Sequence, residues 1–241
     1  MIQILDKNVS LSPIAILFDW DGVLADTKDL IKDAYLNVFQ EIGKEPISID
    51  TLHQLPGTSL RDYFPQILGS QAPQAEVIFY RYVHANHLTR LRQAEGAQQL
   101  LEFLQGHHMS MAVISNKRGD ILRKEIKHFG WEHFFFEVVG SKDCTEDKPS
   151  AVPVHHILSR KNIATPNERV WLVGDWTADL ECAHRAGITP VLINNPDLKR
   201  KKTMPFLPKI YAETCLDLKN FLNQCMTKGS ETKISGKNDN R

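Results

Sequence analysis

Phe18-Asp19-Trp20-Asp21-Gly22-Val23-Leu24-Ala25-Asp26-Thr27 is the stretch on which the architecture of this chain turns. It follows a short apolar run, Ile14 to Phe18, with the length and β-branched content of a buried strand. Two carboxylates two residues apart, just past a strand, can meet one ligand if the backbone then turns sharply. Gly22 permits that turn. Taken alone, the stretch also reads as an acidic turn beside a helix cap, since Asp and Gly are common turn residues. The surrounding sequence separates the two readings.

Four more apolar runs read as strands: Met111 to Ile114, Phe135 to Val139, Val170 to Val173 and Pro190 to Ile193. Helical stripes lie between them, such as Leu122, Ile126 and Phe129, or Leu180, Ala183 and Ala186. Strands alternating with helices predict an α/β fold, a parallel sheet with helices on both faces. From Asp26 to Gln93 the strand signals vanish. Ile31, Tyr35, Val38 and Ile42 form one helical stripe and Ile78, Phe79, Tyr82 and Val83 another, punctuated by Pro46, Pro56, Gly57 and Pro73. One helix would suffice to cross between parallel strands, so residues 26–93 are expected to be an inserted, mostly helical second domain. Residues 1–25 and 94–226 are then the core, with a last strand and helix from Lys209 to Gln224. The polar stretch 227–241, whose one large apolar residue is Ile234, is expected to be a disordered tail.

At ~150 residues per domain, 241 residues suit a core with an insertion. Lys plus Arg is 29 and Asp plus Glu is 29, so no global field draws the chain to nucleic acid or an anionic membrane. Cys144, Cys182, Cys215 and Cys225 lack zinc-site spacing and disulfide-scaffold density. The first residues lack a basic segment followed by a clean apolar one, and no apolar run approaches the ~20 residues that span a bilayer. A cytoplasmic location is expected.

Three further segments stand just past predicted strands: Ile114-Ser115-Asn116-Lys117, Lys148-Pro149 and Gly174-Asp175-Trp176-Thr177-Ala178-Asp179. Ligands bind at the carboxyl ends of strands in open α/β sheets, so four such segments at one edge describe a site. Together they resemble the haloacid dehalogenase-like hydrolase superfamily, in its phosphoglycolate-phosphatase-like and β-phosphoglucomutase-like branch. The resemblance covers about residues 12 to 195 and includes all four motifs in the family's order. It implies a Rossmann-like core with a small helical cap inserted after the first motif.

The resemblance further implies that Asp19 is a nucleophile that forms an aspartyl-phosphate, which water then cleaves. Asp21 would be general acid toward the leaving alkoxide and then general base toward water, a role that calls for surroundings that keep a proton on it at the first step. Ser115, the Asn116 backbone amide and Lys148 resemble the residues that neutralise and hold the phosphoryl oxygens. The carboxylates of Asp19 and Asp175 and the main-chain carbonyl of Asp21 are hard oxygen ligands whose set a Mg²⁺ ion would complete. Asp179 would orient Lys148 or metal-bound water.

Trp20 and Trp176 depart from the smaller residues usual at their positions, and are expected to narrow the site or shape its wall. In the insert, Arg61 is a candidate partner for a second anionic group of the substrate, or a surface arginine in the first turn of a helix. His84 and His87 stand three apart on a predicted helix without an evident third ligand, so a polar helix face is expected there. The function this predicts is Mg²⁺-dependent hydrolysis of a small organic phosphate monoester. The alternatives are a sugar phosphomutase, which shares the core, and a non-catalytic binding module with this fold.

Overall fold

The computed structural model describes residues 1–47, 60–200 and 205–235; the side chains of 60–62 and 228–235 lie outside that description. The strands are β1 (Gln3–Ile4), β2 (Ala15–Phe18), β3 (Ala25–Asp26), β4 (Arg92–Gln93), β5 (Ser110–Arg118), β6 (Glu137–Ser141), β7 (Asn167–Gly174), β8 (Ile188–Ile193) and β9 (Ile210–Ala212). Seven of them form one sheet in the order β1-β9-β8-β7-β2-β5-β6, parallel except where β1 runs against β9. The helices are α1 (Lys28–Ile42), α2 (Leu60–Leu68), α3 (Ala72–Arg90), α4 (Ala97–Gly106), α5 (Gly119–His128), α6 (Val152–Ser159), α7 (Thr177–Ala186), α8 (Pro196–Arg200) and α9 (Cys215–Ser235).

Period-two alternation sends β2 side chains to both faces of the sheet. Ile16 and Phe18 pack with Leu100 and Leu104 of α4, Leu122 of α5 and Leu218 of α9 in one apolar cluster. Ala15 and Leu17 pack on the other face with Val154 and Ile157 of α6 and Ala183 of α7. Each large β2 side chain is wholly buried, a gain of roughly 1.5–3 kcal/mol apiece, so the central strand reads as an unbroken apolar run. The expected parallel sheet with helices on both faces is the observed one.

Chain order reverses at β2, because the chain proceeds to β5 and β6 on one side and later to β7, β8 and β9 on the other. That is where an open sheet forms a crevice beyond its strand ends. The chain leaves and rejoins the sheet through a short antiparallel ladder, Ala25 opposite Gln93 and Asp26 opposite Arg92. Among the described residues between those two strands there are only helices. They carry their own apolar cluster, including Val38, Phe39, Phe64, Phe79 and Val83, into which Ile121 of α5 projects.

Two expectations are corrected. The strand read as ending at Ile114 continues to Arg118, past a register irregularity, because Arg118 pairs with Ser141 of β6 although Ser115 to Arg118 carry no apolar signal. The tail expected to be disordered over 227–241 continues α9 as helix to Ser235. Backbone hydrogen bonding does not require apolar side chains, and residues such as Lys228, Glu231 and Lys233 are compatible with a helix. The four cysteines are free, and no helix among the described residues is long and apolar enough to cross a membrane.

Candidate active site

Asp19 follows the last residue of β2, its amide bonded to the carbonyl of Val173 on β7 at 2.9 Å. The chain then folds back tightly: the amides of Leu24 and Ala25 both reach the carbonyl of Trp20, and the Gly22 amide reaches that of Ala25. Gly22 takes φ +80°, in the left-handed region, and a Cβ built on it would stand 2.1 Å from Asp175 Oδ2. Both facts require glycine. Gly22→Ala is expected to displace Asp175, destabilising the fold by about 1–3 kcal/mol and weakening divalent-cation binding, as thermal melts with and without Mg²⁺ would record.

The sheet edge beyond β2 gathers charged side chains from separate parts of the chain. Lys148 Nζ, on the loop after β6, donates to Asp179 Oδ1 at 2.6 Å and lies 2.9 Å from Asp19 Oδ1. Asp179 Oδ2 accepts the Trp176 amide at 3.0 Å, so Asp179 is held at both oxygens in the first turn of α7. Asn116 fixes Lys148 from the other side: its Oδ1 accepts the Lys148 amide at 3.0 Å and its Nδ2 donates to the Lys148 carbonyl at 2.9 Å. Ser115 is buried beside it, its Oγ accepting the Lys117 amide at 3.3 Å. Asn195, beyond β8, donates to the main-chain carbonyl of Asp175 at 2.8 Å.

Burial sets the electrostatics. Asp19 is pushed up from 3.8 to about 6 by loss of solvent, with Asp179 and Asp21 adding to the rise and Lys148 opposing it. Asp175 is raised well above the ordinary carboxylate range by burial, then by Asp19 and Asp179. Burial opposes the charge on Lys148, yet Asp179 and Asp19 together hold it above the usual lysine value.

A divalent cation suits this arrangement. One carboxylate oxygen from each of Asp19, Asp175 and Asp179 lies within 4.8 Å of the others. Asp19 Oδ1 is fully buried, with the Lys148 ammonium 2.9 Å away. An all-oxygen set with surplus buried negative charge fits a hard ion such as Mg²⁺. Asp179 has both oxygens engaged, which favours Asp19 and Asp175 as the ligating pair.

The Asp21 side chain stands apart from that cluster. Its Oδ1 accepts Lys117 Nζ at 2.6 Å and the Thr27 hydroxyl at 2.6 Å. Lys117, Thr27 and Glu125 received no role from the sequence. The available signal was Glu125, a carboxylate on the apolar stripe of α5 beside Ile121, Leu122 and Ile126. Trp20 does not wall the site; it is wholly buried and donates to Glu125 at 2.6 Å, while Trp176 lines the cleft. His87 is likewise buried rather than on a polar face. The Arg61 side chain lies outside those described.

Over these groups opens a cleft of about 660 Å³, floored by Asp19, Asp21, Ser115, Lys148 and Asp175 and roofed by apolar residues of the helical insert such as Phe79. That is ample for a small ligand.

Comparison with known proteins agrees with this geometry. A pyrophosphatase, PpaX, of Halalkalibacterium halodurans is 23% identical over 178 residues, covering 74% of this chain and 82% of its own. A phosphoglycolate phosphatase of Aquifex aeolicus is 28% identical over 178 residues, covering 73% and 83%. A haloacid dehalogenase-superfamily hydrolase structure from Ehrlichia chaffeensis superposes with a TM-score of 0.63 at 28% identity, covering 89% of this chain and 98% of that one. One from Bacteroides fragilis, at 19% identity, shares the fold with a TM-score of 0.77, covering 86% and 100%. The model of one family spans residues 16–193, from the strand that delivers Asp19 to the one that ends at Ile193, and with it the chain belongs to the haloacid dehalogenase-like hydrolases.

Proposed function

We propose that this hydrolase is a Mg²⁺-dependent phosphatase of small organic phosphate monoesters, phosphoglycolate-like in class, working through an aspartyl-phosphate on Asp19. The observation that carries the reading is Asp19 itself: a buried carboxylate at the central strand's end, with the Lys148 ammonium 2.9 Å from its Oδ1. The names of the Aquifex and Halalkalibacterium relatives support the same chemistry.

In the first step an Asp19 oxygen forms a bond to phosphorus as the ester P–O bond breaks, and a proton on Asp21 passes to the leaving alkoxide. In the second, water attacks the same phosphorus, Asp21 takes its proton, and the acyl-phosphate bond breaks to restore Asp19. Ser115, the Asn116 amide and Lys148 would hold the phosphoryl oxygens throughout. Asp19, Asp175 and the Asp21 carbonyl would hold Mg²⁺, which when bound neutralises charge on the phosphoryl group. The helical insert, whose two chain crossings form the β3–β4 ladder, is read as a cap that excludes water.

Purified protein is expected to release phosphate from a panel of small esters with Mg²⁺ and to stop when a chelator removes it; turnover that survives the chelator would contradict the reading. A pH dependence follows. Asp19 and Asp175 are raised by burial, so in the metal-free protein their ionisation opposes folding. For Asp19 that penalty is absent below 3.8 and grows as pH rises through about 6. A bound cation relieves it, so Mg²⁺ is expected to raise Tm more at about pH 8 than at about pH 5. Equal shifts at both would argue against these carboxylates as ligands.

A further inference from the structure

Behind the reacting edge lies a second polar cluster. Glu125 of α5 is wholly buried, and three elements supply its partners. Trp20 Nε1 and Lys117 Nζ donate to its Oε2 at 2.6 and 2.7 Å, and His87 Nδ1 lies 3.0 Å from its Oε1. A carboxylate accepts only, so that His87 nitrogen carries the proton. A buried charge with three well-placed partners is costly to disturb, because removing one leaves the others unmatched.

The cluster touches the chemistry at one atom. The Lys117 ammonium that Glu125 holds also donates to Asp21 Oδ1 at 2.6 Å. With the Thr27 hydroxyl on the same oxygen, two donors pin the Asp21 carboxyl through Oδ1. Oδ2 receives no hydrogen bond from the described residues, and is the oxygen left to exchange a proton.

At its other end the cluster reaches the insert, because His87 belongs to α3. The same seam between α3 and the core carries His84 Nε2 4.0 Å from Asp120 and the Arg118 guanidinium 4.6 Å above the Tyr80 ring. Glu125 therefore joins the insert's long helix to the carboxylate read as the acid and base.

We propose that Glu125 is a positioning residue for proton transfer at Asp21: it holds the Lys117 ammonium against Asp21 Oδ1, and through His87 it ties that grip to the seating of α3 on α5. This rests on the reading of Asp21 given above. A misaimed Asp21 slows the step in which its proton passes to the leaving oxygen as the ester bond breaks. An alkoxide needs that proton, whereas para-nitrophenolate leaves without it. Lost folding or lost phosphate binding would slow both esters alike.

The test is kcat/KM with Mg²⁺ on an alkyl phosphate and on para-nitrophenyl phosphate, for wild type, Asp21→Asn, Glu125→Gln, His87→Leu and His87→Asn. Asp21→Asn is expected to lose about 10²–10⁴-fold on the alkyl ester and far less on the aryl one. Glu125→Gln is expected to lose about tenfold to a hundredfold on the alkyl ester, within about threefold of wild type on the aryl one, through kcat rather than KM. His87→Leu should lean the same way, and His87→Asn, which keeps a donor, should recover. If Asp21→Asn lowers both esters equally, the acid–base reading itself falls. If Asp21→Asn discriminates but Glu125→Gln lowers both equally or neither, the positioning role alone is overturned. Should Glu125→Gln not fold, the His87 pair decides: an alkyl-selective loss in the leucine variant, relieved in the asparagine variant, supports the role, and equal effects on both esters overturn it.

Discussion

Asp19→Asn is expected to abolish phosphate release, by about 10⁴-fold or more on any ester, while the protein stays folded. Asparagine keeps the shape of the side chain but lacks a nucleophilic carboxylate oxygen, so no covalent intermediate forms. Stability should not fall with activity. The native carboxylate is pushed up to about 6 because burial and the neighbouring Asp179 and Asp21 disfavour its charge. A carboxyl with a raised value contributes fully below its ordinary 3.8 and costs stability as pH rises through about 6, so at neutral pH the neutral amide removes a penalty. Lys148 donates to Asp179 at 2.6 Å, a bond the substitution does not touch. Without metal, the Asn variant should melt at or above wild type near neutral pH; a large fall in Tm would show that Asp19 holds the fold together.

Lys148→Met should fail in the opposite pattern, losing stability as well as activity. The ammonium is 3% exposed and stands between Asp19 and Asp179 at 2.9 and 2.6 Å. Its removal leaves buried carboxylates facing one another without a counter-charge, and breaking a buried pair from one side costs about 3–5 kcal/mol. In a chain of this size that corresponds to a Tm lower by on the order of 10 °C. The Asn116 amide group, which clasps the Lys148 backbone, cannot compensate because it carries no charge. Mg²⁺ should restore part of the lost Tm by supplying positive charge to the same carboxylates, and restore little of the activity. A variant as stable as wild type without metal would contradict the electrostatic role assigned to Lys148.

The sheet was legible because burial on both faces leaves a strong trace. Ala15–Phe18 and Val170 to Val173 are apolar without interruption, and parallel strands covered on two faces require that. Strands of two residues, such as Gln3–Ile4 and the Ala25–Asp26 ladder, leave no periodicity to read. The polar end of β5 was missed for a related reason: past a register irregularity the strand pairs with β6 again at Arg118, and side-chain hydropathy does not report it.

The groups of the candidate site were legible for a different reason. Asp19, Asp21, Lys148 and Asp175 each sit where a strand ends or the following loop turns, and Ser115 where the apolar run of β5 gives way to polar residues, so position and chemistry coincide along the chain. Lys117 and Glu125 act across it, eight residues apart, with Trp20 and His87 arriving from distant segments. No local pattern joins those four; only the fold does. Trp20 shows the limit most clearly: read along the chain, it stands between two site carboxylates and suggests a wall, yet alternation along the strand's continuation turns it into the core.

The most direct measurement is mass spectrometry of the acid-quenched reaction of Asp21→Asn with para-nitrophenyl phosphate and Mg²⁺. Its leaving group needs no proton, so the first step proceeds, while loss of the base slows hydrolysis of the intermediate. A burst of para-nitrophenolate should accompany one phosphoryl group on the peptide that carries Asp19. Steady release of phosphate without a burst, with no phosphoryl group on Asp19 or with one on another residue, would contradict the mechanism.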